Sequence, residues 1–321
     1  MDTSEKRKAM NPKYRILVTS TSFSKVDPLP MQRLRESGCE VVENPLKRPL
    51  RENELRPLLG NVDGVIAGLD EFTRGALTDS KRLKVISRYG VGVDNVDLKA
   101  AKDLGIKVVT TPEVNTQAVA DLTFGLVLAL SRMIPQADQS TKSGNWGRYI
   151  GRAVHRKVLG IVGLGRIGKA VAERAKGFSM RILAYDIRED HAFAKSAKIE
   201  YCPLDTLVST SDFISLHCDL NPRSKGIIGA RELNLMKKTA YLINTARGGL
   251  IEEESLYEVL RNGKIAGAGL DVYLNEPPQE SPLLSLDNII ATPHIGSYTH
   301  EALLEMGLGA VDNLIRNLET R

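Results

Sequence analysis

The strongest constraint on this chain is an alternation. From Tyr14 onward, short apolar runs recur between segments of helical character. "RILVTS" (15–20), "CEVVEN" (39–44), "DGVIAG" (63–68), "LKVISRYG" (83–90) and "IKVVTT" (106–111) are each short, β-branched and bounded by Gly, Pro or Asn. Near-continuous apolar strands separated by helices predict a parallel sheet covered on both faces. The segments between them end as helices should. "LPMQRLRESG" stops at Gly38, and "DLKAAKDLG" runs from an N-capping Asp97 to Gly105.

The rhythm changes at Asn115. Asn115–Ile134 is predicted to be a long, mostly apolar helix lying inside or between domains, and the polar, glycine-spotted stretch 135–156 an extended arm that carries the single tryptophan, Trp146. A second βα series starts at Lys157, with "KVLGIVG", "RILAYD", "FISLHC", "AYLINTA", "AGAGLDVY" and "NIIATPH" as its strands. A helix from about Glu253 to Leu260 has acids at its start and Asn262-Gly263 at its end, a polarity that suits the helix dipole. The segment Thr299–Leu318 closes the pattern as an amphipathic helix.

Composition excludes several classes. With 321 residues, 42% hydrophobic and 26% charged, the chain can build about two ordinary globular domains. Cys39, Cys202 and Cys218 are scattered, which fits neither a disulfide framework nor a zinc spacing and predicts a cytoplasmic location. A net charge of +5 spread along the sequence suits anionic small molecules but is too diffuse for nucleic acid. The first thirteen residues mix both charges without an apolar run; the expectation is a frayed tail, neither signal peptide nor anchor. The apolar stretch Leu122–Leu130 is too short to span a bilayer, which takes about 20 residues.

The segment "KVLGIVGLGRIGKAVAERAKG" holds Gly163-x-Gly165-x-x-Gly168 between a predicted strand and a predicted helix. That context gives the glycines a purpose. The first permits a tight turn, the second lets the backbone approach a pyrophosphate, and the third lets helix and strand pack closely. The helix N-terminus then offers free N–H groups to phosphate. The following strand ends in Asp186, placed to accept bonds from ribose hydroxyls and to repel a 2′-phosphate, which favours NAD over NADP. Arg188, two residues on, would soften that preference.

Three polar residues close successive late strands: Arg247 after "LINTA", Glu276 after "GLDVYLN" and His294 after "NIIATP". Carboxyl ends of parallel strands face the ligand crevice, so the three should converge beside the coenzyme. Arginine holds a carboxylate through two parallel bonds. Histidine passes a proton near neutrality, and a neighbouring carboxylate orients its ring. With a nicotinamide, this set suits hydride exchange with a 2-keto acid. Taken singly, each residue has a plainer reading: a structural histidine, a solvated turn glutamate, an arginine that caps a helix or binds only coenzyme. A metal site is disfavoured, because no second His or Cys stands at ligand spacing near His294.

"GLGRIG", "NTARGG", "GLDVYLNEP" and "TPHIGSYT", in this order and spacing, resemble the D-isomer-specific 2-hydroxyacid dehydrogenases, with "SRYGVGVDNVDL" (87–98) resembling the D-3-phosphoglycerate dehydrogenase branch. The resemblance implies an α/β fold of two Rossmann-like, doubly wound parallel-sheet domains. The NAD-binding domain, 112–296, is inserted into a discontinuous substrate domain, 14–111 and 297–321. It implies Arg247 on the substrate carboxylate and carbonyl, His294 as acid/base with Glu276 as its partner, and backbone amides around Val91-Gly92 gripping the carboxylate. It puts Arg166-Ile167 at the pyrophosphate, Cys218, Thr245 and Ala246 along the coenzyme groove, and Asp271 on the nicotinamide side. It also implies a homodimer through the coenzyme domain, with Trp146 an interface candidate.

Two departures leave the acid open. The sequence stops after the last helix, so the C-terminal regulatory domain of many phosphoglycerate enzymes, and serine feedback through it, are not expected. "VIAGLDEFT" (65–73) has Gly, Leu and acids where several such enzymes place a phosphate-binding arginine; Arg74, Arg88 or the Lys47-Arg48-Arg51 cluster are the candidates to replace it. The expected substrate is an anionic 2-hydroxy or 2-keto acid: 3-phosphoglycerate/phosphohydroxypyruvate or a relative, with glyoxylate/hydroxypyruvate reduction as the alternative. A non-catalytic NADH-sensing protein of corepressor type is the alternative from another class.

Overall fold

A computed structural model describes residues 12–320. The chain divides into two units, one running to Asn115 and resuming at Thr299, the other spanning Thr116–Tyr298. Most of the expected frayed tail lies outside the described residues. Lys13 is anchored: its N–H donates to Gly38 O at 2.8 Å, and its ammonium pairs with Glu319.

The first unit carries strands β1 (Tyr14–Val18), β2 (Cys39–Glu43), β3 (Gly64–Ala67), β4 (Val85–Arg88) and β5 (Lys107–Val109). They form one parallel sheet in the order β2-β1-β3-β4-β5. Because successive side chains alternate between faces, each apolar strand feeds two cores. Leu17, Val65 and Ile86 pack with Leu55, Phe72 and Ala100 on one side. Ile16, Ile66 and Val85 pack on the other against Leu303, Met306, Ala310 and Leu314 of the helix His300–Glu319. Thr299 caps that helix by accepting from Ala302 N, and Ser87 and Tyr89 donate their hydroxyls to its Ala310 and Leu303 carbonyls, each at 2.8 Å. The turn residues behave as their types require: Asp97 accepts from Ala100 N, and Gly38 and Gly105 end their helices with φ of +76° and +71°.

The second unit carries β6 (Val158–Val162), β7 (Arg181–Tyr185), β8 (Ile199–Tyr201), β9 (Phe213–Leu216), β10 (Tyr241–Asn244), β11 (Gly267–Leu270) and β12 (Ile289–Ala291). All pair in parallel, in the order β12-β11-β10-β9-β6-β7-β8. Strand order reverses between β6 and β9, and ligands of such sheets bind beyond the carboxyl ends at that reversal.

Two expectations need correction here. The three-residue edge strand β8 was not foreseen, because "IEY" is too short to show a period. The apolar helix is Thr116–Ser131, ending before Met133, whose φ is +53°; a second helix, Ile134–Lys142, follows at a bend of 64°. The arm is therefore helical in its first third. Pro135 favours this break, since proline is accepted in a helix's first turn and not in its interior. Among the described residues no single helix is long and apolar enough to cross a membrane.

Candidate active site

The glycine loop links β6 to the helix Arg166–Gly177. Gly163 has φ +96°, and a Cβ there would stand 2.5 Å from Cys218 N at the end of β9. A Cβ on Gly168 would stand 2.2 Å from Gly163 O. Both positions are thus closed to side chains by backbone. Gly165 is the opposite case: a Cβ would meet nothing within 4 Å, and no side chain caps the helix it begins. The first turn of that helix has amides without intrahelical acceptors, facing open space at the sheet's reversal. A pyrophosphate fits this cradle by charge and by room. Arg166 is exposed and Ile167 half-buried at its rim.

Asp186 follows β7, and its carboxylate is fixed from both sides, Oδ2 accepting from Leu164 N at 2.6 Å and Oδ1 from Arg188 N at 2.8 Å. Arg188 and Ile187 beside it are exposed. Cys218 stands against the glycine loop, and burial pushes its thiol up to about 11, so it is an inert small residue there. Thr245 is buried, 2.9 Å from Thr123 through their hydroxyls, and Ala246 N donates to Asn244 Oδ1.

Arg247, Glu276 and His294 follow β10, β11 and β12, three neighbouring strands. His294 Nδ1 and Glu276 Oε2 are 2.7 Å apart, both side chains half-buried. The glutamate's other oxygen accepts from Tyr273 N at 3.2 Å. Gly248 presses so closely on the β11 loop that a Cβ would stand 1.9 Å from the Tyr273 carbonyl carbon, which seats the Arg247 turn against the segment carrying Glu276. Arg247 is half-buried, with one guanidinium nitrogen donating to Ala246 O at 2.7 Å.

His294 itself has φ +55°, unusual for a residue with a side chain. Asp271 explains how that conformation is held. Its carboxylate is 1% exposed, and accepts from Ile295 N and Gly296 N, both at 2.8 Å, and from the Thr292 hydroxyl at 2.7 Å. Burial pushes its carboxyl up, with these three donors opposing. Asp271, expected on the nicotinamide side, bonds the histidine loop in this way and so braces it. "TPHIG" gives no sign of this; only the tertiary fold brings residue 271 beneath it.

In the first unit, Val91 and Gly92 follow β4. Arg88 is 3% exposed and spans this edge: Nε donates to Gly92 O and a terminal nitrogen to Ala67 O, each at 2.8 Å, with Gly68 O also bonded. Two other candidates for a substrate cation carry carboxylate partners: Arg74 with Asp103 at 2.7 Å, and Arg48 with Glu54. Among the described residues no three His, Cys, Asp or Glu side chains are grouped to hold a metal ion.

A profile of the D-isomer specific 2-hydroxyacid dehydrogenase NAD-binding domain matches residues 124–296. A D-3-phosphoglycerate dehydrogenase of Methanocaldococcus jannaschii is 45% identical over 82% of the chain. The chain belongs to the D-isomer specific 2-hydroxyacid dehydrogenases. These are NAD-dependent oxidoreductases, and the glycine cradle ending β6 lies within the residues that match the NAD-binding domain. The match spans 51% of the phosphoglycerate enzyme's own length. A glyoxylate reductase of Korarchaeum cryptofilum is 44% identical, covering 88% of this chain and 90% of the relative. Among solved structures, a Thermus thermophilus protein superposes with a TM-score of 0.86 at 38% identity, over 96% of this chain and 97% of its own.

Proposed function

We propose that this dehydrogenase interconverts a 2-keto acid and its D-2-hydroxy acid, with His294 as acid/base, Glu276 as its partner and Arg247 as the carboxylate anchor. The observation that carries the reading is the 2.7 Å pair between His294 Nδ1 and Glu276 Oε2. Nδ1–H donated to the carboxylate leaves Nε2 as the atom that exchanges a proton. NAD, when bound, supplies or accepts the hydride. In reduction Nε2 gives its proton to the keto oxygen as charge develops there; in oxidation the neutral ring takes it back. Arg247 pairs with the acid's carboxylate; by itself the first unit offers the amides around Val91-Gly92 as a carboxylate-binding turn. Asp271 holds the histidine loop at its unusual backbone angle.

The same reading includes a homodimer through the coenzyme unit. On the arm, Trp146 is 80% exposed and Ile150 95%, a pairing that a protein surface covers when it can. The deciding experiment is NADH oxidation with a panel of 2-keto acids. Turnover that disappears in His294→Ala supports the reading; NADH binding without turnover of any keto acid refutes it.

A further inference from the structure

We propose that Tyr273 is a positioning residue that holds Glu276 and His294 in place for proton transfer, the partner by its amide and the acid's loop by its hydroxyl. This rests on the reading of that pair as the acid/base.

The ladder between β11 and β12 stops where the loops carrying Glu276 and His294 begin. Its last register pair is Leu270 with Ala291, and Thr292 N then donates to Leu270 O at 2.9 Å. The Tyr273 hydroxyl adds a tie beyond that point. It shares its proton between Leu270 O at 3.1 Å and Thr292 O at 3.2 Å. Thr292 O also accepts from His294 N at 3.1 Å, so the phenol grips the carbonyl on which the histidine turn closes. Asp271 fixes the amides after His294; Tyr273 fixes the carbonyl before it.

The backbone of the same residue serves the glutamate. Tyr273 N donates to Glu276 Oε1, while Oε2 faces His294. Tyr273 is itself immobilised. Its side chain is 6% exposed, in a core that includes Leu250, Leu256 and Leu270. The backbone of Gly248 abuts its carbonyl carbon, and the next amide, Leu274 N, donates to Glu253 Oε1 at 2.6 Å.

A residue needed only for the core would need only the ring. Phenylalanine fills the same space, and neither carbonyl is orphaned by it, since Leu270 O keeps Thr292 N and Thr292 O keeps His294 N. What the hydroxyl adds is the tie between the two loops. Burial, with Asp271 and Glu276 nearby, pushes the phenol up to about 12, and its proton faces backbone carbonyls, so it serves as a fixed donor and is not the acid of the reaction.

The test is Tyr273→Phe in the full-length protein, measured by NADH oxidation with glyoxylate and hydroxypyruvate. Misplacing a reacting group costs up to about 10²-fold, and kcat should fall about tenfold with KM changed less than about twofold. NADH affinity, followed by fluorescence titration, should match the parent. Placed in a His294→Ala background, Tyr273→Phe should cause no further loss, because it acts through the histidine. 4-Aminophenylalanine at position 273, which offers one N–H to each carbonyl, should restore kcat. An unchanged kcat in Tyr273→Phe, the same fold-loss in both backgrounds, or loss of NADH binding would make Tyr273 a core residue only and overturn the inference, leaving the acid/base reading intact. An unaltered kcat in His294→Ala alone would overturn both.

Discussion

Nδ1 of His294 and a carboxylate oxygen of Glu276 lie 2.7 Å apart although 18 residues separate them in the chain. A ring held at one nitrogen has a defined orientation for the other. His294→Ala should lower kcat by about 10²–10⁴-fold, the usual worth of a positioned acid. Glu276→Gln keeps the shape but supplies a neutral partner, and should reduce kcat with little change in KM. Stopped-flow and steady-state rates with NADH check both; an unaltered kcat in His294→Ala would remove the histidine from the chemistry.

Asp271→Asn tests the brace. Each carboxylate oxygen accepts at least one N–H, from Ile295 or Gly296, so an amide must turn its NH2 toward one of these donors. A buried donor facing a donor costs about 1–3 kcal/mol. Thermal unfolding should shift down accordingly, and kcat should fall because His294 loses its backbone support. A variant as stable and as active as the parent would mean the loop holds itself.

The glycine loop separates packing from binding. Gly168→Ala forces a methyl against Gly163 O and should reduce both stability and NADH affinity. Gly165→Ala meets no protein atom, so the melting temperature should stay within the range of a neutral surface change, about 0.5 kcal/mol. Its NADH affinity should nonetheless fall, because the added methyl occupies the phosphate approach. Calorimetric titration beside melting curves distinguishes the two; equal effects of both variants on stability would contradict the assignment.

His217 predicts an acid-sensitive fold. Its Nε2 is 2.7 Å from the Ser215 hydroxyl, its Nδ1 is covered without a partner, and burial lowers its pKa to about 3. The folded value lies below the unfolded one, so the unfolded chain binds the extra proton. Stability contributed by the neutral ring is therefore complete above the ordinary histidine value of 6.5 and is lost as pH falls toward about 3. Denaturant titrations at about pH 6 and 5 should show His217→Gln losing up to about 1.4 kcal/mol less per pH unit than the parent. Parallel slopes would show that the ring does not titrate as described.

The arm offers an assembly test. Trp146→Glu with Ile150→Glu places charge where the proposed dimer buries apolar surface. Sedimentation should move from dimer to monomer with the unfolding midpoint of the coenzyme unit little changed. A monomeric parent protein would end the proposal.

The inner strands were legible because both faces of each are buried, which leaves apolar runs with clear ends; the edge strands β2 and β5 still carry a Val-Val pair. The one omission, β8, lies at a sheet edge with an exposed Glu200 in its middle and so has no such run. The glycine turn, Asp186 and the trio Arg247, Glu276 and His294 could be placed at the carboxyl ends of their strands because sequence does locate strand ends. The brace under His294 and the inward aim of Arg88 could not. Both depend on which carbonyls and amides a long-range fold places nearby, and an acid or a guanidinium reads the same in sequence whether it faces solvent or backbone.

The split construction of the first unit has a consequence during synthesis. One face of its sheet is covered by the helix His300–Glu319, whose residues Leu303, Met306, Ala310 and Leu314 are buried against strands made roughly two to three hundred positions earlier. On the ribosome, Ile16, Ile66 and Val85 must wait for that helix while the whole intervening unit emerges. The nascent sheet thus passes through a stage with half its apolar surface bare, which makes this interval the point at which a chaperone would be most needed.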